Sequence, residues 1–101
     1  MSAKKTPLAN HGWARKLMHN KASGLDVFIQ GFKENRLASI DAQDSGGYTL
    51  LHFAATYDRG DIKDWVIGQG ANQTIQTTGG QTVAYLTELT KALKEGPWLR
   101  H

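Results

Sequence analysis

Residues 47 to 72 read GYTLLHFAATYDRGDIKDWVIGQGAN. A turn glycine, Gly47, leads through Thr49 into a short apolar run of Leu50, Leu51, Phe53, Ala54 and Ala55, with His52 inside it. Asp58-Arg59-Gly60 breaks the run. A second follows, with Ile62, Trp65, Val66 and Ile67 at helical spacing, and Gly70-Ala71-Asn72 closes it. The pattern spells two short helices joined by a tight turn, each apolar on one face. Neither buries that face alone, so the stretch requires neighbours of its own kind.

Such neighbours recur at a period of about 33 residues. Gly47-Tyr48-Thr49 returns as Gly80-Gln81-Thr82, and Val83-Ala84-Tyr85-Leu86 follows where the first copy has Leu50-Leu51-His52-Phe53. Gly70-Ala71-Asn72 has its counterpart in Leu37-Ala38-Ser39. Further back, Lys16-Leu17-Met18-His19 is in register with Thr49-Leu50-Leu51-His52, Ala22 with Ala55, and Ile29 and Phe32 with Ile62 and Trp65.

The central unit resembles an ankyrin repeat, whose pattern is roughly D-x-x-G-x-T-P-L-H-x-A-A, a helix-turn-helix, then G-A-x. Asp44, Gly47, Thr49, Leu51, His52, Ala54, Ala55, Gly70 and Ala71 stand at the matching offsets. The match is specific over residues 44 to 72, fair over 73 to 86 and weak over 12 to 43. Leu50 replaces the usual proline, which sets the helix start less firmly. Asp58 stands where a glycine usually closes the first helix, with Gly60 nearby. Lys16, Asn20 and Lys21 in the first unit, and Tyr85, Thr87 and Glu88 in the last, depart from the pattern as end caps do when their outer faces meet water. The resemblance implies an all-α, ankyrin-like helical repeat stack of three helix-turn-helix units with two short β-turn fingers. One domain over 1–101 is expected: a polar lead-in at 1–11, a capping repeat at 12–44, a central repeat at 45–77 and a second capping repeat at 78–101.

Size and composition agree with one small globular domain, 40% hydrophobic and 21% charged. There is no cysteine, which excludes disulfides and thiolate chemistry. No stretch approaches the roughly 18 apolar residues of a membrane helix. Lys4 and Lys5 have no apolar segment behind them, so a secretory signal is not expected and a cytoplasmic location is. The net charge of +3 is uneven. Residues 1 to 36 hold seven Lys/Arg against Asp26 and Glu34, and residues 37 to 101 hold five against seven acids. A basic end favours an acidic protein surface or nucleic acid, or simply solubilises a cap.

Along the chain, Pro7 blocks an early helix. Trp13, Ala14, Leu17 and Met18 predict a helix from about His11 to Ala22, broken by Ser23-Gly24. Leu25, Phe28, Ile29 and Phe32 predict a second, with Asp26 at the favourable end of its dipole. Thr49 is expected to cap a helix through its hydroxyl, and His52 and His19 to act as struts bonded to backbone. Asp61 to Ile67 forms an outer helix whose Trp65 packs between layers. The last helix is expected to run unbroken from Val83 to Glu95, with Val83, Ala84, Leu86, Leu89, Ala92 and Leu93 as its apolar positions. Gly96-Pro97 stops it, and Trp98-Leu99 folds back as a lid.

Chemistry-bearing motifs are missing. No lysine follows Gly68-x-Gly70 or Gly79-Gly80 as a phosphate loop requires. His11, His19, His52 and His101 have no ligand spacing, so no metal and no cofactor is expected. Asp58, Asp61 and Asp64 are spaced as helix-start carboxylates. The chain is not expected to be an enzyme. In ankyrin-like proteins, finger tips and the exposed side of the inner helices bind other proteins, and by position the contacts here are Trp13, Arg15, Ser45, Tyr48, Phe53, Thr56, Tyr57, Arg59, Thr78, Gln81 and Tyr85. Tyr, Trp and Arg most often dominate such interfaces. The expected function is a non-catalytic inhibitor or adaptor that binds a larger protein. Two alternatives stand beside it: nucleic-acid binding through Lys4, Lys5, Arg15, Lys16 and Lys21, and a homo-oligomer built through an end cap with Trp98 exposed.

Overall fold

The computed structural model describes residues 9–20, 22–35 and 39–95. Lys4, Lys5, Lys21, Trp98 and the expected lid lie outside them. Among the described residues there are five helices and no strand: α1 (Gly12–His19), α2 (Leu25–Asn35), α3 (Leu50–Thr56), α4 (Gly60–Gly68) and α5 (Val83–Glu95). The chain is all-helical.

Everything packs around α3. Its seven residues are too few to hold a helix in water by themselves. Six of them, Leu50 to Ala55, are buried. α3 lies against α1, α4 and α5, while α2 closes on α1 and α4. Thr49 has an extended backbone, and the helix start is a reciprocal box. The Thr49 hydroxyl accepts from the His52 N–H at 3.3 Å, and the His52 ring Nδ1 accepts from the Thr49 N–H at 3.0 Å. Leu50 gives up the preset backbone angle of a proline there but is fully buried.

The remaining helices follow the expected pattern with shifted ends. α1 stops at His19 because Asn20 turns extended and its side chain accepts from the Ala22 N–H at 3.0 Å. α2 runs on to Asn35, supported by a Gln30-to-Glu34 hydrogen bond and by Asn35 Nδ2 donating to the Gly31 carbonyl. In α4, Ile62 and Val66 point into the core, and Trp65 meets Phe28 and Phe32 edge to face at 5.8 and 5.3 Å. The indole sits between layers. Gly70, at φ +92°, ends this helix by donating to the Ile67 carbonyl, and Ala71 N–H reaches the Val66 carbonyl.

α5 runs unbroken from Val83, capped by the Thr82 hydroxyl, which accepts from the Tyr85 N–H at 3.1 Å. Thr90 Oγ1 donates to the Ala55 carbonyl at 3.1 Å, and Lys63 Nζ donates to Thr87 Oγ1. Only part of its apolar set is covered. Val83 and Leu86 are buried, but Ala84, Leu89, Ala92 and Leu93 are exposed. The covered positions are those that face α3. No other described helix packs on the opposite side.

The two expected fingers contain no strand, and a pair of matching turns stands in their place. Asp44 N–H donates to the Tyr48 carbonyl and Gly47 N–H to the Asp44 carbonyl. Thr77 N–H donates to the Gln81 carbonyl and Gly80 N–H to the Thr77 carbonyl in the same way. Gly47 and Gly80 both have φ +81°, a region L side chains avoid. Thr78 N–H donates across to the Gly46 carbonyl, and Gln43 Nε2 donates to the carbonyls of Gly47 and Gln76. The turns touch: a Cβ on Gly47 would lie 2.4 Å from the Thr78 nitrogen, whereas one on Gly80 would meet nothing within 4 Å.

These glycines make a sharp comparison. Gly80→Ala should cost about 1 kcal/mol, the backbone term alone, and Gly47→Ala should cost at least about twice that because the turns must also separate. Urea unfolding of both variants checks the order, and equal losses would show that the turns do not press on each other. Asp58 is the single non-glycine described residue at positive φ, +58°, at the position where the ankyrin pattern has glycine.

Candidate protein-docking face

The two turns present Ser45 and Thr78 at their tips, both exposed. Behind them Tyr48 is half-buried. Its ring stacks on Phe53 at 4.9 Å and 12°, and its hydroxyl donates to Gln81 Oε1 at 3.1 Å. Asp44 Oδ1 holds this turn by accepting from the N–H groups of Gly46 and Tyr48, each at 2.9 Å. Tyr48 and Gln81 therefore meet the surface in one fixed arrangement across the two turns.

Arg15 adjoins them from α1. Its guanidinium lies over the Phe53 ring at 5.4 Å, and it borders a recess of about 450 Å³ lined by Gly12, Arg15, Lys16, His19 and Tyr57. A smaller hollow of about 280 Å³, bordered by His11, Arg15, Asp44 and Ser45 among others, continues towards the first tip. Tyr57 is half-buried and touches His19 edge to face at 6.0 Å. Ser45, Tyr48, Gln81, Thr78, Arg15 and Tyr57 thus sit along the tips and the adjoining α1 side of the molecule.

Other expected contact residues lie elsewhere. Phe53 is buried at 7% exposure, beneath Tyr48, Arg15 and the edge of His11, so it supports the face without belonging to it. Arg59 is also only 7% exposed. Its NH1 donates to the carbonyls of Leu17 and Met18, and its NH2 donates to the Ser23 carbonyl at 2.8 Å and pairs with Asp61 at 3.3 Å. An arginine placed to be a contact residue is instead the cap of α1. Trp13 stacks on Phe28 at 5.4 Å and lines a separate groove between α1 and α2. Thr56 is exposed, with its hydroxyl donating back to the His52 carbonyl. Tyr85, 51% exposed, shares the uncovered side of α5 with Leu89 and Leu93.

The histidines divide. His52 is buried, and its Nε2 lies 3.0 Å from the Ile75 carbonyl and 3.1 Å from the Gln81 carbonyl. Two acceptors there put the proton on Nε2, and Nδ1 accepts from Thr49. The ring is the expected strut. His19 is exposed and bonds to no backbone, because it is the last residue of α1 whereas His52 stands in the first turn of α3. His11 supplies a strut that the sequence reading missed: it is buried, with Nε2 2.9 Å from the Ala42 carbonyl. Its acceptor Ala42 stands one repeat length before Ile75, an acceptor of His52.

Asp58, Asp61 and Asp64 do not converge. Asp61 is held by Arg59, and no group of three His, Cys, Asp or Glu among the described residues could hold a metal ion. Burial works to raise the Asp61 pKa. The hydrogen bond from Arg59 and the Ile62 N–H outweigh it and hold the carboxyl below its usual range. No helix among the described residues is long and apolar enough to cross a membrane.

Neither a protein-family model nor a curated protein matches the sequence. The fold, however, has solved counterparts. A chain from the complex of the predatory endopeptidase Bd0816 of Bdellovibrio bacteriovorus with immunity protein Bd3460 is similar to this one, with a TM-score of 0.69 and 19% identity. The similarity covers 92% of this chain and 46% of that one, so this chain spans about half the length of the solved chain it matches.

The His52 joint makes stability depend on pH. Burial pushes its pKa below the ordinary 6.5, against the opposing pull of the Gln81 and Ile75 carbonyls. Above 6.5 both folded and unfolded chains carry a neutral ring, and the stability is full. As pH falls through that value the unfolded chain takes up a proton that the folded one resists, so stability drops until the folded ring also protonates. The melting temperature should therefore fall between about pH 7.5 and pH 5. His52→Gln should melt lower throughout and show a flatter slope over the same range.

Proposed function

We propose that this chain is an ankyrin-type repeat stack that binds a larger protein through its turn tips and the adjoining surface of α1, and that it acts by covering that protein. The observation that carries this reading is the fold shared with a chain of an endopeptidase–immunity protein complex over nearly all of this chain. Three features of the surface support it. The tips carry exposed side chains on a backbone locked by turn-to-turn hydrogen bonds. Tyr48, Arg15 and Tyr57 supply the aromatic and guanidinium groups that anchor protein interfaces. Their fixed contacts reduce what ordering would cost on association. The titratable groups at the centre of the fold are engaged in bonds that hold helices together: His52 to Thr49 and two carbonyls, Arg59 to three carbonyls and Asp61. A binding role makes use of the surface and leaves those joints intact. An inhibitor of the immunity kind is the specific form we favour.

Ser45→Arg and Thr78→Arg, made together, add bulk at both tips without touching the core. Affinity capture from the source cell should yield a protein with the parent chain and lose at least about ten-fold of it with the double variant, at an unchanged melting temperature. The captured protein's activity should fall when the parent chain is added at equal concentration and recover when the variant replaces it. Identical capture by both chains would place the docking surface elsewhere.

A further inference from the structure

We propose that the recess on α1 receives an acidic segment of the partner protein, with Arg15 and Lys16 binding its carboxylates and Tyr57 packing beside them. This rests on the protein-binding reading above and names the chemistry of what is bound. The recess is about 450 Å³, and of its five lining residues Arg15 and Lys16 are basic, while none is acidic. Both are exposed on one helix of eight residues. The single ion pair among the described residues is Arg59 with Asp61, so Arg15 and Lys16 are left without a carboxylate. Lys16 in the last turn is favoured by the helix dipole, but that does not neutralise it.

Arg15 is also held in place. Its guanidinium rests over the Phe53 ring, and Phe53 is clamped by Tyr48 and His11. A stacked guanidinium keeps its edge N–H groups free, and those are the groups that meet a carboxylate side by side. Tyr57, turned edge-on to His19, gives the recess an apolar wall against which the partner's chain can lie.

Geometry favours a protein segment over nucleic acid. Arg15 and Lys16, on a helix about 12 Å long, meet one or two negative charges, whereas a nucleic-acid strand offers a repeating line of phosphates. Asp44, on the rim of the adjoining hollow, would repel a phosphate backbone continuing along the face. A protein segment presents one or two carboxylates at a fixed place and avoids that repulsion.

The test uses the whole chain and fluorescence anisotropy with two labelled probes, decaglutamate and a ten-nucleotide oligothymidylate. Decaglutamate should bind the parent chain, and Arg15→Glu with Lys16→Glu should weaken it at least about tenfold. Lys33→Glu, an exposed control on α2, should weaken it less than about twofold, since distant charge acts only through screened field. Circular dichroism confirms folding, and because Arg15 packs on Phe53, Lys16→Glu alone provides a variant without that contact. Three results overturn the proposal: no binding of decaglutamate, equal weakening by all variants, or oligothymidylate bound at least as tightly and lost through the same substitutions. Capture of a partner through the tips would survive any of them, so the two readings fail separately.

Discussion

His52 joins two units by satisfying backbone groups that neither unit satisfies alone. On one side its Nδ1 accepts from Thr49 at the start of α3; on the other its Nε2–H reaches the carbonyls of Ile75 and Gln81 in the following turn. Short helices make such joints necessary. A helix leaves its first N–H groups and last carbonyls without internal partners, and in a helix of seven residues those ends are most of the element. Burial of α3 removes water as the alternative. The ends must be met by neighbours.

The same solution recurs in the other direction. Arg59 reaches back to the carbonyls of Leu17, Met18 and Ser23 and so closes α1 and the turn after it. Thr90 reaches from α5 to the Ala55 carbonyl at the end of α3. Each contact spans more than thirty residues of chain and links one helix pair to the next. Loss of any layer strands polar groups in the adjacent one, each costing about 1–3 kcal/mol when buried. The stack is therefore expected to fold as a unit and not helix by helix.

Much of this was written locally and could be read locally. Thr49 and Thr82 are caps because a β-region hydroxyl before an apolar run has little else to do, and Trp65 packs between layers because its helical stripe faces inward. The 33-residue spacing is visible again in the structure, where Tyr48 bonds to Gln81 and Gln43 to Gln76 across one repeat length. What periodicity could not show is which outward-looking residue acquires a neighbour. Arg59 stands in a polar break and reads as solvent-facing, yet the carbonyls of Leu17, Met18 and Ser23 converge on it. Phe53 lies on the tip side of its helix, yet Tyr48 and Arg15 fold over it. Leu89 and Leu93 carry the apolar stripe of a core helix on a side that no described helix covers. His19 matches His52 in the repeat spacing, but it falls at the end of its helix where His52 stands near a start. Burial of this kind is set by the next layer, which a local pattern does not contain.

Joints and tips divide the work of the chain between them. Stability resides in His52, Thr49, Arg59 and Gly47, all turned inward or towards another turn. Thr78 contributes only its backbone to that network, through its N–H bond to the Gly46 carbonyl beside Ser45 at the other tip. Their side chains are free to vary without disturbing a cap or opening a cavity. Tyr48 and Arg15 stand between the two regimes: each touches solvent with one edge and Phe53 with the other. Their side chains are held by the core, so any association that used them would lose little side-chain entropy there. A rigid backbone with variable tips and preset aromatic and cationic anchors is what a domain needs if covering a surface is its task.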